Sequence, residues 1–317
     1  MITQFAPVAG IAASLFALLA ASCSAGAREE QVSVPSVQAV PKPPSAVAAS
    51  AALPAAVAHE SHLPKTFVYS GELTQGGWIK GTVPAGTRQL TFNGQHVEIA
   101  KDGTFFVAFD RDAGTSGRLV AERRGGPAVA RDFTISRRNW KIEHINAARR
   151  SSGPSAAFMA LRRPELARIN AARAIDSGST GWQQDFIWPI RGRISGRFGS
   201  QRIYRGEPGS YHSGIDIATG QSGTPFAAPA DGTVILAADK PFTLEGKLLM
   251  IDHGNGLNSA FLHCSALLVK EGDRVKQGQL IGRIGATGRA TGPHLHWGMK
   301  WGRSRIDPIL LTGPMPR

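Results

Sequence analysis

Short β-prone runs separated by glycine turns fill almost all of residues 66–317 and hold this chain to a mainly β architecture. Residues 66–69, 89–92, 97–99, 104–109 and 131–135 alternate or run apolar, as strands do. Asn93-Gly94, Asp102-Gly103 and Gly125-Gly126-Pro127 supply the turns between them. Strands this short and close predict a small β-sandwich, immunoglobulin-like in plan, over residues 65–145. One stretch breaks the pattern. In residues 154–176 Ala and Leu dominate, and Phe158, Leu161, Leu166 and Ile169 fall at helical spacing. Pro164 is expected to divide this stretch, because proline removes a helical donor and crowds the preceding turn. Residues 146–181 therefore read as a helical spacer between two β domains. From Trp182 the chain is again β-rich, with strands expected over 232–237, 248–252, 258–263, 279–284 and 294–300. Residues 269–282 read as two short strands around glycine turns, and the whole of 182–317 as an antiparallel β-sandwich or half-barrel.

The first 64 residues belong to neither pattern. Pro7 to Ala21 is an apolar run of about fifteen residues, too short to anchor in a bilayer and of the length of a secretory signal core. Ala25-Gly26-Ala27 after it suits an ordinary signal peptidase, giving a signal peptide over 1–27. Leu19-Ala20-Ala21-Ser22-Cys23 resembles a loose lipobox, which would end the signal at residue 22 and leave Cys23 as a lipidated N-terminus at the outer membrane. Either cut implies export to the periplasm or envelope, although no Lys or Arg precedes Arg28. Residues 28–64, an Ala/Pro/Val/Ser mixture with Pro41-Lys42-Pro43-Pro44, read as an extended linker. Either cut also removes or lipidates Cys23, so no disulfide is expected and Cys264 is a lone thiol.

Net charge is +13, carried by the two β regions: 18 basic against 10 acidic residues in 65–181, and 16 against 10 in 182–317. A basic exported surface suits an anionic polymer or membrane surface. No basic patch interleaved with aromatics is present, so nucleic acid is not expected as a partner, and the protein is expected to be a monomer.

The chemistry gathers in the last domain. In His294-Leu295-His296 the two imidazoles project from one side of a strand while Leu295 turns to the core. His212 and Asp216 stand four apart around Gly214 and β-branched Ile215, a pattern for extended chain on which positions i and i+4 share a face. His263 closes a strand, with Phe261 expected on its own face and Cys264 opposite. His253 reads as a hairpin residue and His96 as a solvated one. Two imidazoles and a carboxylate make an open zinc set that leaves a position for water, whereas a multi-cysteine structural site is excluded by the cysteine count. Five groups (His212, Asp216, His263, His294 and His296) compete for three ligand positions, leaving two histidines for proton transfer. Spacing does not decide between His294 and His296 as ligand.

Residues 211–217 (Tyr-His-Ser-Gly-Ile-Asp-Ile), 261–265 (Phe-Leu-His-Cys-Ser) and 292–297 (Gly-Pro-His-Leu-His-Trp) resemble the three signature stretches of the lysostaphin/LytM-type zinc endopeptidases, peptidase family M23. The resemblance covers roughly residues 182–312. It implies His212, Asp216 and His296 as zinc ligands and His263 and His294 as the catalytic pair. It also implies cleavage of peptide cross-links of bacterial peptidoglycan, glycine bridges in some members and D-alanyl–diaminopimelate links in others. One position departs: Phe261 stands where the family usually has Tyr, so Tyr204 or Tyr211 is the candidate phenol for an oxyanion. Two rival readings fit the sequence less well. A non-catalytic LytM-like activator would have lost ligand positions, and all five are present. A biotinyl- or lipoyl-carrier domain needs a modifiable lysine in a Met-Lys-Met-like context at a hairpin tip, which is missing here.

Overall fold

The computed structural model describes residues 63–148 and 155–316. The expected signal peptide, Cys23 and nearly all of the 28–64 linker lie outside the described residues. Seven strands open the described chain: β1 (Val68–Glu72), β2 (Trp78–Thr82), β3 (Thr87–Phe92), β4 (Gln95–Val97), β5 (Thr104–Ala108), β6 (Ser116–Arg123) and β7 (Val129–Thr134). They form two antiparallel sheets, β1-β2-β5 and β4-β3-β6-β7, around Ile79, Leu90, Phe105, Leu119 and Ile135. The strands β2 and β6 escape the sequence reading. In β6 the inward positions are Gly117, Leu119 and Ala121, and two such small residues leave little apolar alternation to detect.

After β8 (Ile142–Ile145) comes α1 (Ala156–Arg173), whose first turn is capped by the Ser155 hydroxyl accepting from the Phe158 N–H. The helix runs unbroken through Pro164, contrary to the expected division. Proline removes one donor there, but the residues around it are clamped from outside. Arg162 donates to both Glu245 carboxylate oxygens at 2.6 Å, and Glu165 accepts from the Thr243 N–H at 2.7 Å and its hydroxyl at 2.6 Å. The helix does not stand free between two domains either: Ile169 and Ala172 pack on Leu236, Leu248 and Met250 of the following sheet. Among the described residues no helix is long and apolar enough to cross a membrane.

The remainder comprises β9 (Arg193–Gly196), β10 (Gln201–Tyr204), β11 (Glu207–Pro208), β12 (Ile215–Ala218), β13 (Pro225–Ala227), β14 (Gly232–Phe242) and β15 (Gly246–Gly254). It continues with β16 (Leu257–Cys264), β17 (Ala266–Leu267), β18 (Arg274–Val275), β19 (Leu280–Arg283), β20 (Leu295–Trp301), β21 (Ser304–Ile306) and α2 (Ile309–Thr312). The main sheet is antiparallel in the order β18-β14-β15-β16-β20-β12-β9, and β13-β19-β17 forms a second sheet over it. Phe226 and Ile281 from the second sheet meet Ile215, Ile217, Phe261, Leu295 and Trp297 from the first. The fold is thus mainly antiparallel β, with one face of the large sheet sealed into this core and the other carrying α1.

The two β regions share that core. Phe106 and Ala108 of β5 belong to the same buried cluster as Trp297 and Ile306, and Phe106 stacks on Trp78 at 5.7 Å. The Trp78 indole donates to the Leu310 carbonyl at 2.8 Å. Buried Arg111 donates to the Gly199 carbonyl at 3.1 Å, Arg138 pairs with buried Asp307 at 2.8 Å, and β8 pairs in parallel with β10. Such an interface couples the two regions thermally. Phe106→Ala, which empties a fully buried aromatic position, should cost about 3–5 kcal/mol and lower a single shared melting transition. Calorimetry showing two transitions, of which only one moves, would refute the coupling.

Candidate active site

Strand register builds the site. In the antiparallel pair β12–β20, Asp216 lies directly opposite His296, and Ile215 opposite Trp297. Alternation then sends Ile215, Ile217, Leu295 and Trp297 into the core, all fully buried, and turns Asp216 and His296 to the other face. The segment before β12 brings in His212, whose backbone N–H donates to the Ser200 carbonyl and whose carbonyl accepts from Gly199, each at 2.8 Å.

Three side-chain atoms converge as a result. His212 Nε2 lies 3.0 Å from Asp216 Oδ1 and 3.1 Å from His296 Nδ1, and His296 Nδ1 lies 2.9 Å from Asp216 Oδ1. His212 Nδ1 sits 3.1 Å from the Arg197 carbonyl, which can only accept, so in the neutral ring Nε2 carries the lone pair. His212 Nε2, His296 Nδ1 and Asp216 Oδ1 therefore face one position. A tetrahedral ion bonded at about 2.0–2.1 Å spaces its ligands at about 3.3 Å, so the triangle fits a metal with a small expansion. His212, Asp216 and His296 also form a group able to hold a metal ion on distance alone. Burial works to raise the Asp216 pKa, but its contacts with the His212 and His296 rings hold it well below the usual carboxylate range. Burial lowers His296 despite Asp216, whereas at His212 burial is outweighed by the Asp216 contact and the pKa rises.

The other two predicted histidines stand beside the triangle. His294 Nδ1–H donates to the Gly292 carbonyl at 2.8 Å and His263 Nδ1–H to the Thr287 carbonyl at 2.9 Å, which leaves both Nε2 atoms free. Their rings are 4.9 Å apart, and His294 Nε2 lies 3.7 Å from Asp216 Oδ1. Burial first, then the neighbouring His294 and His296, holds His263 down to about 4 against the pull of its Thr287 hydrogen bond. The expected face of His263 needs correction. Phe261 and Cys264 both lie in the core, Phe261 stacked parallel to Trp297, while His263 emerges on the active face. A register shift in the β15–β16 pair and a left-handed backbone at His263 (φ 64°) break the alternation there. A non-glycine residue held in that region costs of order 1–3 kcal/mol and tends to mark a functional position.

Both candidate phenols line a cleft of about 1250 Å³ that has His212 and Asp216 on its floor, but Tyr211 is also tied to the N-terminal sandwich, donating to Asp110 at 3.2 Å with its ring under Arg111. Arg197, Arg202 and Arg289 also line that cleft, and Lys141, Glu143 and Ala148, from in and around β8, supply part of its wall.

Residues 210–308 match the profile of Peptidase family M23. The C-terminal domain is an M23 peptidase domain. It is 41% identical over 109 residues (33% of this chain, 24% of the relative) to the peptidoglycan DD-endopeptidase ShyA of Vibrio cholerae. It is 39% identical over 128 residues (39% of this chain, 28% of the relative) to the DD-carboxypeptidase/endopeptidase Mpg of Neisseria meningitidis. The matched stretch spans about a quarter of those curated relatives. A solved structure from Pseudomonas aeruginosa, assigned by its description to peptidase M23, superposes with a TM-score of 0.59 at 27% identity, covering 76% of this chain and 96% of that one. The likeness therefore extends upstream of the M23 domain into the sandwich and helix.

Two glycines shape the M23 centre. A Cβ at Gly196 would overlap the Asp216 carboxylate, and one at Gly214 would lie 2.8 Å from His296 Nε2. Gly214 is marked in the sequence by its place between His212 and Asp216, whereas Gly196 meets Asp216 only through the β9–β12 pairing and carries no sequence signal. Gly196→Ala should keep the fold but push Asp216 off the triangle, weakening metal affinity by about 10–100-fold, the range seen when a ligand's supporting contact is lost. Chelator competition showing wild-type affinity in a folded Gly196→Ala protein would contradict this geometry.

Proposed function

We propose that this protein is an exported zinc metalloendopeptidase that hydrolyses peptide cross-links of bacterial peptidoglycan. The observation that carries the reading is the convergence of three ligand atoms beside two histidines with free Nε2 atoms, on the open face of an M23 domain. The substrate class is supported by the peptidoglycan and D,D-peptidase names of relatives 41% and 39% identical across the domain. Export is supported by the apolar run 7–21 and the small residues after it, with the mature chain starting at Arg28 or at a lipidated Cys23. The excess of basic residues would hold the enzyme on the anionic envelope polymer.

Zinc on His212, Asp216 and His296 supplies a Lewis acid that lowers the pKa of water to near neutrality and polarises a carbonyl. The remaining work falls to the chain. Asp216, ionised and partly buried, contributes the one negative charge of the ligand set. The Arg197 carbonyl fixes the His212 ring, so that Nε2 is presented. His263, held neutral, can accept a proton at Nε2, and His294 can donate from Nε2 to an oxyanion or leaving amine once protonated. Their Nδ1–H bonds to Thr287 and Gly292 fix both tautomers in advance. The cleft beside them has room for an extended peptide.

The metal content of the purified protein should be about one zinc per chain, and His212→Ala or Asp216→Ala should remove it. His263→Ala and His294→Ala should retain zinc while losing hydrolysis of purified sacculi by about 10²-fold or more. Mass analysis of the released fragments identifies the bond cut. Stoichiometric zinc in a His212→Ala, Asp216→Ala double variant would overturn the assignment, as would sacculi left intact by the zinc-loaded enzyme.

A further inference from the structure

A second, smaller cavity of about 210 Å³ adjoins the ligand triangle at His296 and has no part in the mechanism above. Its floor is the active face of the large sheet, at Met250, Leu262 and Gly298, and its roof is α1. Its charge is one-sided. Arg162 in the roof is matched by Glu245 and Glu165. Arg173, at the last turn of the same helix, makes no ion pair or side-chain hydrogen bond among the described residues, and its Nε is buried without a partner. Lys300, facing it from β20, is likewise unpaired and half-buried. Arg305, at the exposed rim, makes no ion pair: its guanidinium lies over the Tyr211 ring at 5.6 Å and reaches the Tyr211 hydroxyl at 3.5 Å.

Unpaired cations are costly to hold away from water, and three around one cavity repel one another. Burial first, then Arg173, Arg305 and Arg303, pulls the Lys300 pKa down, and burial with Arg305 does the same to Arg173. The field in the cavity is therefore positive before any metal is added at His296. Allowing about 30 Å³ per water, the space equals about seven waters, too little for a sugar polymer and enough for a carboxylate with a small apolar substituent. A guanidinium matches a carboxylate in the plane of its two oxygens. Met250, Leu262 and Ile169 offer methyl-sized apolar contacts beside it.

We propose that this cavity is a subsite for a free carboxylate of the substrate peptide, held by Arg173 and Lys300 with Arg305 at its mouth. The proposal rests on the peptidase reading above and deepens it: the enzyme selects peptides that carry an anionic group on the α1 side of the metal centre. A neutral peptide leaves these cations unpaired and binds less well.

The test is a titration of the zinc-loaded mature chain with N-acetyl-D-alanyl-D-alanine and with its C-terminal amide, at matched ionic strength. The acid should bind about tenfold or more tightly than the amide, the discrimination expected of one charge-assisted contact. Arg173→Gln and, separately, Lys300→Met should bring that ratio close to one while zinc content and melting temperature stay unchanged. Lys300→Met decides the matter if Arg173→Gln destabilises the helix. His263→Ala should keep the full ratio, because binding is read without turnover. The proposal is overturned if wild-type protein does not discriminate, or if both variants retain the full ratio, as they would were the metal itself holding the acid. Failure of the peptidase reading would appear differently, as intact sacculi with the acid-to-amide ratio preserved.

Discussion

The β12–β20 register is the constraint on which the rest of the site depends. Opposing Asp216 to His296 places a carboxylate oxygen and an imidazole nitrogen 2.9 Å apart. A slip of one residue would send both into the core and bring Ile215, Ile217 and Trp297 to the surface. The apolar face enforces the polar one: Trp297, Leu295 and the two isoleucines are fully buried, so the register that seals the core is also the register that brings the candidate metal ligands Asp216 and His296 together. Folding energy and site geometry are therefore the same quantity here. His212 is the exception, since it arrives on a loop and is held by backbone bonds to Gly199 and Ser200.

A second constraint is the division of labour between the faces of the large sheet. One face is closed by β13-β19-β17 and, at its end, by Phe106 and Trp78 from the N-terminal sandwich. The other face holds the histidines and, further along, α1. The helix is fastened by the Arg162–Glu245 pair on the loop between β14 and β15, the same loop whose Glu245 carbonyl accepts the His263 N–H. One short turn thus carries both the helix and the strained backbone of a catalytic candidate.

Much of this was legible in the sequence. His294-Leu295-His296 announced a strand with paired imidazoles, because period-two alternation survives in the seven-residue β20, whereas His212 meets Asp216 from a loop ahead of β12 and not from the extended chain expected of it. Spacing could not separate ligand from acid–base histidine. That choice turns on the β12–β20 register, which sets His296 rather than His294 opposite Asp216 and is fixed by tertiary structure. His263 was assigned to the wrong face because a single left-handed residue inverts the alternation and leaves no mark on composition. The strand β6 was hidden by small inward residues, and α1 survived its proline because contacts from residues 243 and 245 steady it, distant in sequence. The core shared by the two β regions was invisible for the same reason: Phe106 reads as an ordinary inward residue, and nothing local says which core it enters.

The parallel pairing of β8 with β10 matters for how such chains can be recombined. Residues 142–145 belong to the sequence upstream of the M23 match, yet they complete the three-stranded sheet β11-β10-β8 that flanks the cleft. A graft beginning at the helix or later would leave Gln201–Tyr204 with a bare edge of N–H and carbonyl groups at the wall of the cleft. Such an edge pairs readily with any passing strand. A transplanted peptidase would then tend to stick to its own substrate or to its copies, so the portable unit is larger than the catalytic motifs and begins before β8.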